Sequence, residues 1–272
     1  MTGFLDDMAR SSAARVREAL RLESPAALER RARLTPPPPP LRLSPDGFDV
    51  IAELKLRSPA AGVLGSMAQD LSARVLAYAR GGAAAVSVLT EPSRFDGSMD
   101  HLRQAAAALA PAGVPAMRKD FIVDPYQVLE ARAAGAGGVL VILRMLSRAQ
   151  VLELLAAAAE QGLFVLLEAF DAADLHTAAE LLPARRRDGV LVGVNCRDLQ
   201  SLAVVPERFA ALAAQLPPWP AVAESGVATP ADALAMRRLG YRLALIGTAL
   251  MAESDPAALL ADILAAARTV PD

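Results

Sequence analysis

After Phe48 the chain repeats one pattern eight times: a short, β-rich apolar run, then an Ala/Leu-rich helical stretch. The runs are 49–56 (DVIAELKL), 84–90 (AAVSVLT), 115–121 (PAMRKDF) and 138–143 (GVLVIL), then 164–170 (FVLLEAF), 189–195 (GVLVGVN), 220–226 (PAVAESG) and 243–248 (LALIGT). Strands alternating with helices build a parallel sheet that the helices cover, so the strands read as continuous apolar runs rather than as alternating ones. Eight units at roughly 23–35-residue spacing predict an α/β fold, a (β/α)8 barrel of the TIM type. An open, doubly wound sheet shares the alternation and differs in strand order, which sequence does not give. Helix starts are marked at Asp124-Pro125, Ser147, Asp171, Thr229-Pro230 and Asp255-Pro256, where a capping side chain or a first-turn proline satisfies or removes amides that lack a helical partner.

Upstream, 4–22 and 24–33 read as helices, and a five-proline run within Thr35–Leu41 reads as an extended connector. The predicted division is an N-terminal helical extension with its proline-rich connector (1–47) and a barrel catalytic domain (48–272). The 272 residues suit one barrel. No uncharged apolar run reaches about 18 residues, and the N-terminus lacks a basic-then-apolar leader, so a cytoplasmic protein is expected. A net charge of −2 points to neither a nucleic-acid nor a membrane partner. We expect a monomer or a weak homo-oligomer. The cluster Arg185-Arg186-Arg187 reads as a solvated turn. A single cysteine, Cys196, excludes a disulfide framework, and no His/Asp/Cys cluster has metal spacing. His101 and His176 read as helix-surface residues. AGAGG at 134–138 precedes a strand and so is no dinucleotide fingerprint.

Of 28 basic residues only two are lysine, Lys55 and Lys119, and Asn195 is the lone asparagine. A chain that uses Arg for generic positive charge keeps Lys for something Arg does poorly, such as exchanging a proton. Catalytic groups of such barrels lie at the C-terminal ends of the strands. There the first strand carries Glu53 and Lys55, two apart and hence on one face. The third carries Lys119, flanked by Arg118 and Asp120; the fifth carries Glu168; the sixth carries Asn195, with Arg197 in the same parity. Both lysines and the asparagine thus fall on one rim. A structural Glu53–Lys55 ion pair is compatible with that reading. The last two strands end in small residues, Glu224-Ser225-Gly226 and Gly247-Thr248, a pattern suited to cradling phosphate on backbone amides. Cys196 has the opposite parity and reads as a buried structural thiol.

These residues resemble a known family. IAELKLRSPAAG (51–62), VSVLTEPSRFDGS (86–98), MRKDFIVDPYQVLEARAAGA (117–136), LLEAFD (166–171), VGVNCRDL (192–199), VAESGV (222–227) and LIGTALM (245–251) look like indole-3-glycerol-phosphate synthases. The resemblance implies ring closure of 1-(2-carboxyphenylamino)-1-deoxyribulose 5-phosphate, with loss of CO2 and water, in tryptophan biosynthesis. It implies a small phosphorylated, carboxylated substrate and no metal or organic cofactor. Carried over by position, Lys119 is the general acid and Glu168 the second acid/base group. Glu53 and Asn195 orient them, and Lys55, also placed among the catalytic residues, contacts the anionic substrate and can share in proton transfer. Ser58 and Arg197 bind substrate, while Ser225, Gly226, Gly247 and Thr248 cradle its phosphate. Phe95 and Phe121 wall the aromatic ring. Near other cations and facing a low-dielectric cavity, Lys119 is expected to have a lowered pKa.

The chain departs from the family pattern at Ala60, Ala61 and Phe170, where polar residues are usual, and more mildly at Cys196 and Thr248. Phe170 bears most on hydrogen bonding near Glu168. Three other readings stand beside the main one: a paralogue in specialised indole metabolism, a phosphoribosylanthranilate isomerase, and a non-catalytic barrel that binds a phosphorylated ligand. The isomerase's acid–base Cys and Asp are not matched, and a pure binder has no need of Lys rather than Arg.

Overall fold

The computed structural model describes residues 3–45, 47–58, 62–63, 70–182, 189–198, 201 and 203–269. Ala60, Ala61 and the Arg185–Arg187 cluster lie outside them.

Two helices come first, α1 (Phe4–Leu22) and α2 (Pro25–Leu34). The barrel strands are β1 (Asp49–Leu54), β2 (Ala85–Leu89), β3 (Ala116–Lys119), β4 (Gly138–Ile142), β5 (Phe164–Ala169), β6 (Val190–Asn195), β7 (Ala221–Glu224) and β8 (Leu243–Ile246). All eight fall inside the runs read from sequence, trimmed by a few residues at the ends. Each strand pairs in parallel with its neighbours in chain order, and β8 returns to β1 with Asp49 opposite Leu243 and Ala52 opposite Ile246. That last pairing decides between barrel and open sheet. The outer layer includes α3 (Leu71–Arg80), α4 (Pro92–Phe95), α5 (Met99–Leu109), α6 (Pro125–Ala133), α7 (Arg148–Glu160) and α8 (Ala172–Leu181). It continues with α9 (Glu207–Leu212), α10 (Pro230–Arg238), α11 (Thr248–Ala252) and α12 (Pro256–Ala267). All five expected caps form: Asp124, Ser147, Asp171, Thr229 and Asp255 each accept a first-turn amide, a contact worth about 1 kcal/mol per helix.

Alternate residues of each strand divide two cores. Val50, Val86, Val139, Val165 and Val192 face outward into the helix layer. Ile51, Met117, Leu140, Leu166, Val222 and Leu243 point inward and fill the barrel. Because the lower interior is plugged by these side chains, the inward positions one step further along each strand form the floor of an open mouth.

The N-terminal segment is docked, with α1 beside that mouth. Met8 packs among the interior residues, and Ser12 Oγ donates to the Phe121 carbonyl while accepting from Gln127 Nε2 at 2.9 Å. Leu28 and Ala32 of α2 pack on Tyr126 and Ala133 of α6. Tyr126 Oη donates to the Glu23 carbonyl at 3.0 Å, and Arg132 donates to the carbonyls of Thr35 and Pro36. Helix α2 thus runs down along α6, and the proline segment crosses the barrel floor beside Gly137, ahead of β4, toward Ser44, whose N–H donates to Asp49.

One expectation fails here. His101 is 9% exposed, because the face of α5 that carries Leu102, Ala105 and Leu109 packs inward and its first turn is carried with it. Burial lowers its pKa. His176 is exposed, as read.

Candidate active site

The mouth of the barrel holds a cavity of about 410 Å³. Period-2 alternation places Glu53 and Lys55 (β1 and just beyond), Lys119 (β3), Glu168 (β5), Asn195 (β6) and Glu224 (β7) around it. Lys55 Nζ lies 2.9 Å from Glu53 Oε1. Lys119 Nζ lies 3.4 Å from Glu168 Oε2 and 3.7 Å from Glu224 Oε2. The two lysines and the asparagine therefore do share one rim, and the Glu53–Lys55 ion pair does form.

The electrostatics differ from expectation at Lys119. Burial alone would lower its pKa, but Glu168, Glu224 and Glu53 together outweigh burial and raise it above the ordinary lysine value. Its nearest charged neighbours are carboxylates, not cations; Arg118 points away into the helix layer, bonded to the Gln127 carbonyl and to Glu130. Lys119 is thus a standing cation at neutral pH. Burial would raise the Glu53 carboxyl, yet Lys55 and Lys119 hold it below its usual range. Glu224 goes the other way. Burial first, then the adjacent Glu168 charge, push its carboxyl well above the normal value against the pull of Lys119. Two close carboxylates do not both ionise readily, so Glu224 is the one that retains a proton.

Glu224 was passed over as a site residue in the sequence, where it opens a small-residue strand end. Its inward parity with Val222 was the available signal. Two glycines make the cluster possible. A Cβ on Gly193 of β6 would overlap the Glu224 carboxylate, and Gly193 stands opposite Glu168 in the β5–β6 register. A Cβ on Gly247 would lie 2.5 Å from Glu53 Oε1 and 3.0 Å from Lys55 Nζ.

The cavity has two kinds of wall. On the side of β6 to β8, Asn195 Oδ1 accepts from Ser225 Oγ and from the Arg197 amide, each at 3.0 Å. Arg208 donates to the Asn195 carbonyl at 2.8 Å and fixes that turn. Ser225 and Gly226 both take positive φ, 66° and 83°, and Gly247-Thr248 opens α11 against the same space. Cys196 faces away and donates to the Ser225 carbonyl; burial pushes its thiol up to about 11, so it is no nucleophile at neutral pH. On the opposite side the wall is apolar: Phe121, Phe95, Leu140, Ile142 and Phe170, with Phe4 and Leu5 of α1 above. Phe121 stacks edge-on to Phe4 at 5.8 Å between ring centroids and is tilted against Phe95 at 6.2 Å. Phe170 is 3% exposed, and the Arg144 guanidinium lies 4.5 Å from its ring centre. The backbone of Ser58 forms part of a two-residue strand beyond β1; its side chain lies outside the described residues.

Lys119 is anchored from outside the barrel. Asp120, pointing the other way, receives two bonds from Arg15 of α1 at 2.7 and 2.9 Å, one from Thr90 Oγ1 at 2.7 Å and one from Arg118 at 3.1 Å. Burial opposes its ionisation, but Arg15 and Arg118 hold the carboxyl far below the usual range. Among the described residues no group of three or more His, Cys, Asp or Glu is placed to hold a metal ion.

Comparison with known proteins follows the same lines. The family model for indole-3-glycerol phosphate synthase matches residues 6–263. An indole-3-glycerol phosphate synthase of Parafrankia sp. (strain EAN1pec) is 40% identical over 97% of this chain and 94% of its own. One of Mycobacterium tuberculosis (strain CDC 1551 / Oshkosh) is 39% identical over 91% of this chain and 89% of its own. Among solved structures, 3-hexulose-6-phosphate synthase from Salmonella typhimurium superposes with a TM-score of 0.62 at 13% identity, over 82% of this chain and 99% of that one, a likeness of fold alone.

Proposed function

The chain belongs to the indole-3-glycerol phosphate synthase family, and from that premise we propose that the barrel mouth is where its residues close the indole ring. The enzyme is a decarboxylating carbon–carbon lyase of tryptophan biosynthesis. It converts 1-(2-carboxyphenylamino)-1-deoxyribulose 5-phosphate to indole-3-glycerol phosphate, with release of CO2 and water. The observation that carries the assignment of the site is one ammonium, Lys119, held between Glu168 and Glu224 where the apolar wall meets the polar one.

In this reading the aryl ring lies against Phe121, Phe95 and their neighbours, and the phosphate lies on the amides and hydroxyls of Ser225, Gly226, Gly247 and Thr248. Arg197 and Ser58 contact the substrate between these ends, and Lys55 meets its negative charge. A substrate held at both ends has its ring carbon and ketone aligned, which removes much of the entropic barrier to an intramolecular attack, by up to about 7–11 kcal/mol in ideal cases. As the ring carbon adds to the ketone, negative charge grows on the ketone oxygen, and Lys119 gives it a proton. The raised pKa keeps Lys119 protonated before this step. CO2 then leaves the attacking ring carbon, and its bonding pair restores the aryl ring. Glu168, 3.4 Å from Lys119, serves as the acid/base group for the loss of water: its carboxylate takes the proton from the carbon beside the nitrogen and passes it to the departing hydroxyl, while Lys119 regains its proton from solvent. Glu224, holding its own proton beside Glu168, keeps the carboxylate pair to a single negative charge in the resting site. Glu53 and Asn195 hold Lys55 and the Ser225 turn in place.

The finer statements about setting are also part of the proposal. The enzyme works in the cytoplasm; no helix among the described residues is long and apolar enough to cross a membrane. It works as a monomer or a weak homo-oligomer, a reading supported by the small number of exposed large apolar side chains among the described residues: Leu20, Leu22, Leu34, Leu152 and Val204. The N-terminal extension (1–47) and the barrel (48–272) act as one unit, because α1 contributes Phe4 and Leu5 to the cavity.

The test is indole fluorescence on adding the substrate to the purified protein, together with complementation of a tryptophan auxotroph lacking this step. Turnover with growth is the expected result. A folded protein that gives neither would overturn the reading and favour a paralogue with a modified substrate, for which Phe170 is the specific support, or a non-catalytic phosphate binder.

A further inference from the structure

We propose that Phe170, clamped by Arg144, determines which aryl rings the site accepts: it excludes rings that carry a polar or bulky substituent on the edge facing β5. The inference rests on the ring-closing reading above and deepens it.

Phe170 shares the inward parity of Glu168, so its ring stands one step above that carboxylate at the end of β5. It lines the same cavity and packs in one apolar cluster with Phe121, Leu140 and Ile142. A ring in that place would ordinarily be free to change rotamer at a wet rim. Here it is fixed from behind. The Arg144 guanidinium covers the ring at 4.5 Å from its centre. Arg144 is itself tied down by Nη2 bonds to Asp171 and Asp174, both at 2.6 Å, and by an Nε bond to Asp174 at 2.9 Å. Asp174 also accepts the Phe170 amide at 2.8 Å, and Asp171 caps α8. Backbone, ring and covering cation therefore form one closed set of contacts. The charge of Arg144 is spent on two carboxylates on the far side of the ring, so what it presents to the cavity is a stiff aromatic wall rather than a cation.

A stiff apolar wall discriminates in two ways. A bulky substituent overlaps it, and a hydroxyl pressed against it loses hydrogen bonds to water without replacement. Residue 170 offers no donor or acceptor, so a polar substituent on the ring edge that faces it finds no replacement in that wall for its water.

The experiment compares kcat/KM for the unsubstituted substrate with a series bearing one methyl or one hydroxyl at each free ring position. The enzymes are the wild type, Phe170→Ala, Phe170→Leu and Arg144→Met. Dissociation constants are measured in parallel for the same series as unreactive N-alkylanthranilates. Phe170→Ala is expected to raise the relative kcat/KM of at least one substituted substrate by about tenfold or more, the scale on which pockets sense a single methyl. Arg144→Met should shift the same ring position in the same direction by less. Phe170→Leu, which keeps an apolar side chain, guards against failure of the alanine variant to fold. Ratios that stay within twofold at every position, or that fall equally at all of them, overturn the proposal. Failure of the wild type to turn over the unsubstituted substrate would count against the ring-closing reading instead, while the anthranilate dissociation constants would still decide whether Phe170 is the selective wall.

Discussion

At the scale of single residues, Lys119 shows how far identity and environment can diverge. Its being lysine in an arginine-rich chain marks it, but its protonation is set by three carboxylates from three other strands. We predict that Lys119→Met lowers kcat by about 10²- to 10⁴-fold, the usual worth of a general acid, while substrate still binds. Indole fluorescence at saturating substrate measures it. Lys119→Arg should be nearly as damaging, because a guanidinium keeps the charge but does not release a proton. Substantial turnover by either variant would remove the acid assignment. Gly193→Ala is the complementary case. The added methyl meets the end of the Glu224 side chain, which can swing aside, so thermal unfolding should shift by little. The displaced carboxyl no longer lies beside Lys119 and Glu168, and kcat should fall by about tenfold or more, toward the loss seen when an acid–base group is disturbed. A large drop in melting temperature with kcat unchanged would contradict this.

Between elements, the critical joint is α1 on the end of β3. Arg15 reaches from α1 to Asp120, whose neighbours in sequence are Lys119 and Phe121, so a helix outside the barrel fixes the strand end that carries the proposed acid. Asp120 is fully buried, as is its partner Arg118, and removing one member of a buried ion pair costs about 3–5 kcal/mol. We predict a loss of that order for Asp120→Asn at pH 7, measured by denaturant unfolding. The pH dependence follows from the sign of the shift. The folded-state pKa of Asp120 lies below its unfolded value, so its contribution is present above the ordinary carboxylate range, near 4, and fades as pH falls through it. The gap between wild type and variant should therefore narrow on acidification. A gap that is constant or grows toward low pH would sink this account of the joint.

For the whole molecule, closure of the barrel is the decisive event, and it is held at the floor as well as in the ladder. Arg268, just beyond α12, donates to the Phe48 carbonyl at 2.9 Å and to Asp49 at 3.0 Å, clasping the end of the last helix to the start of β1. Arg268→Ala leaves part of the buried Asp49 carboxylate without its partner and should cost about 1–3 kcal/mol. For a chain of this size each kcal/mol lowers the melting temperature by about 2–4 °C. Scanning calorimetry would show it, with kcat unaffected since the clasp is at the opposite end from the mouth. A fall in kcat at unchanged melting temperature would argue that the floor and the mouth are coupled.

Sequence alone determined the strand and helix order, the caps, the inward parity of Glu53, Lys55, Lys119, Glu168 and Asn195, and the clustering of both lysines on one rim. It could do so because each is local: a period of two, a capping side chain, a strand end. Tertiary structure alone decided closure, since the β1–β8 pairing joins residues nearly 200 positions apart. It also decided the upward shift of Lys119, the burial of His101, the entry of Glu224 over Gly193 and the Arg144 clamp on Phe170. Each of these depends on which side chains of different elements meet at a few ångströms, and charge, burial and close approach at that range leave no periodic trace along the chain.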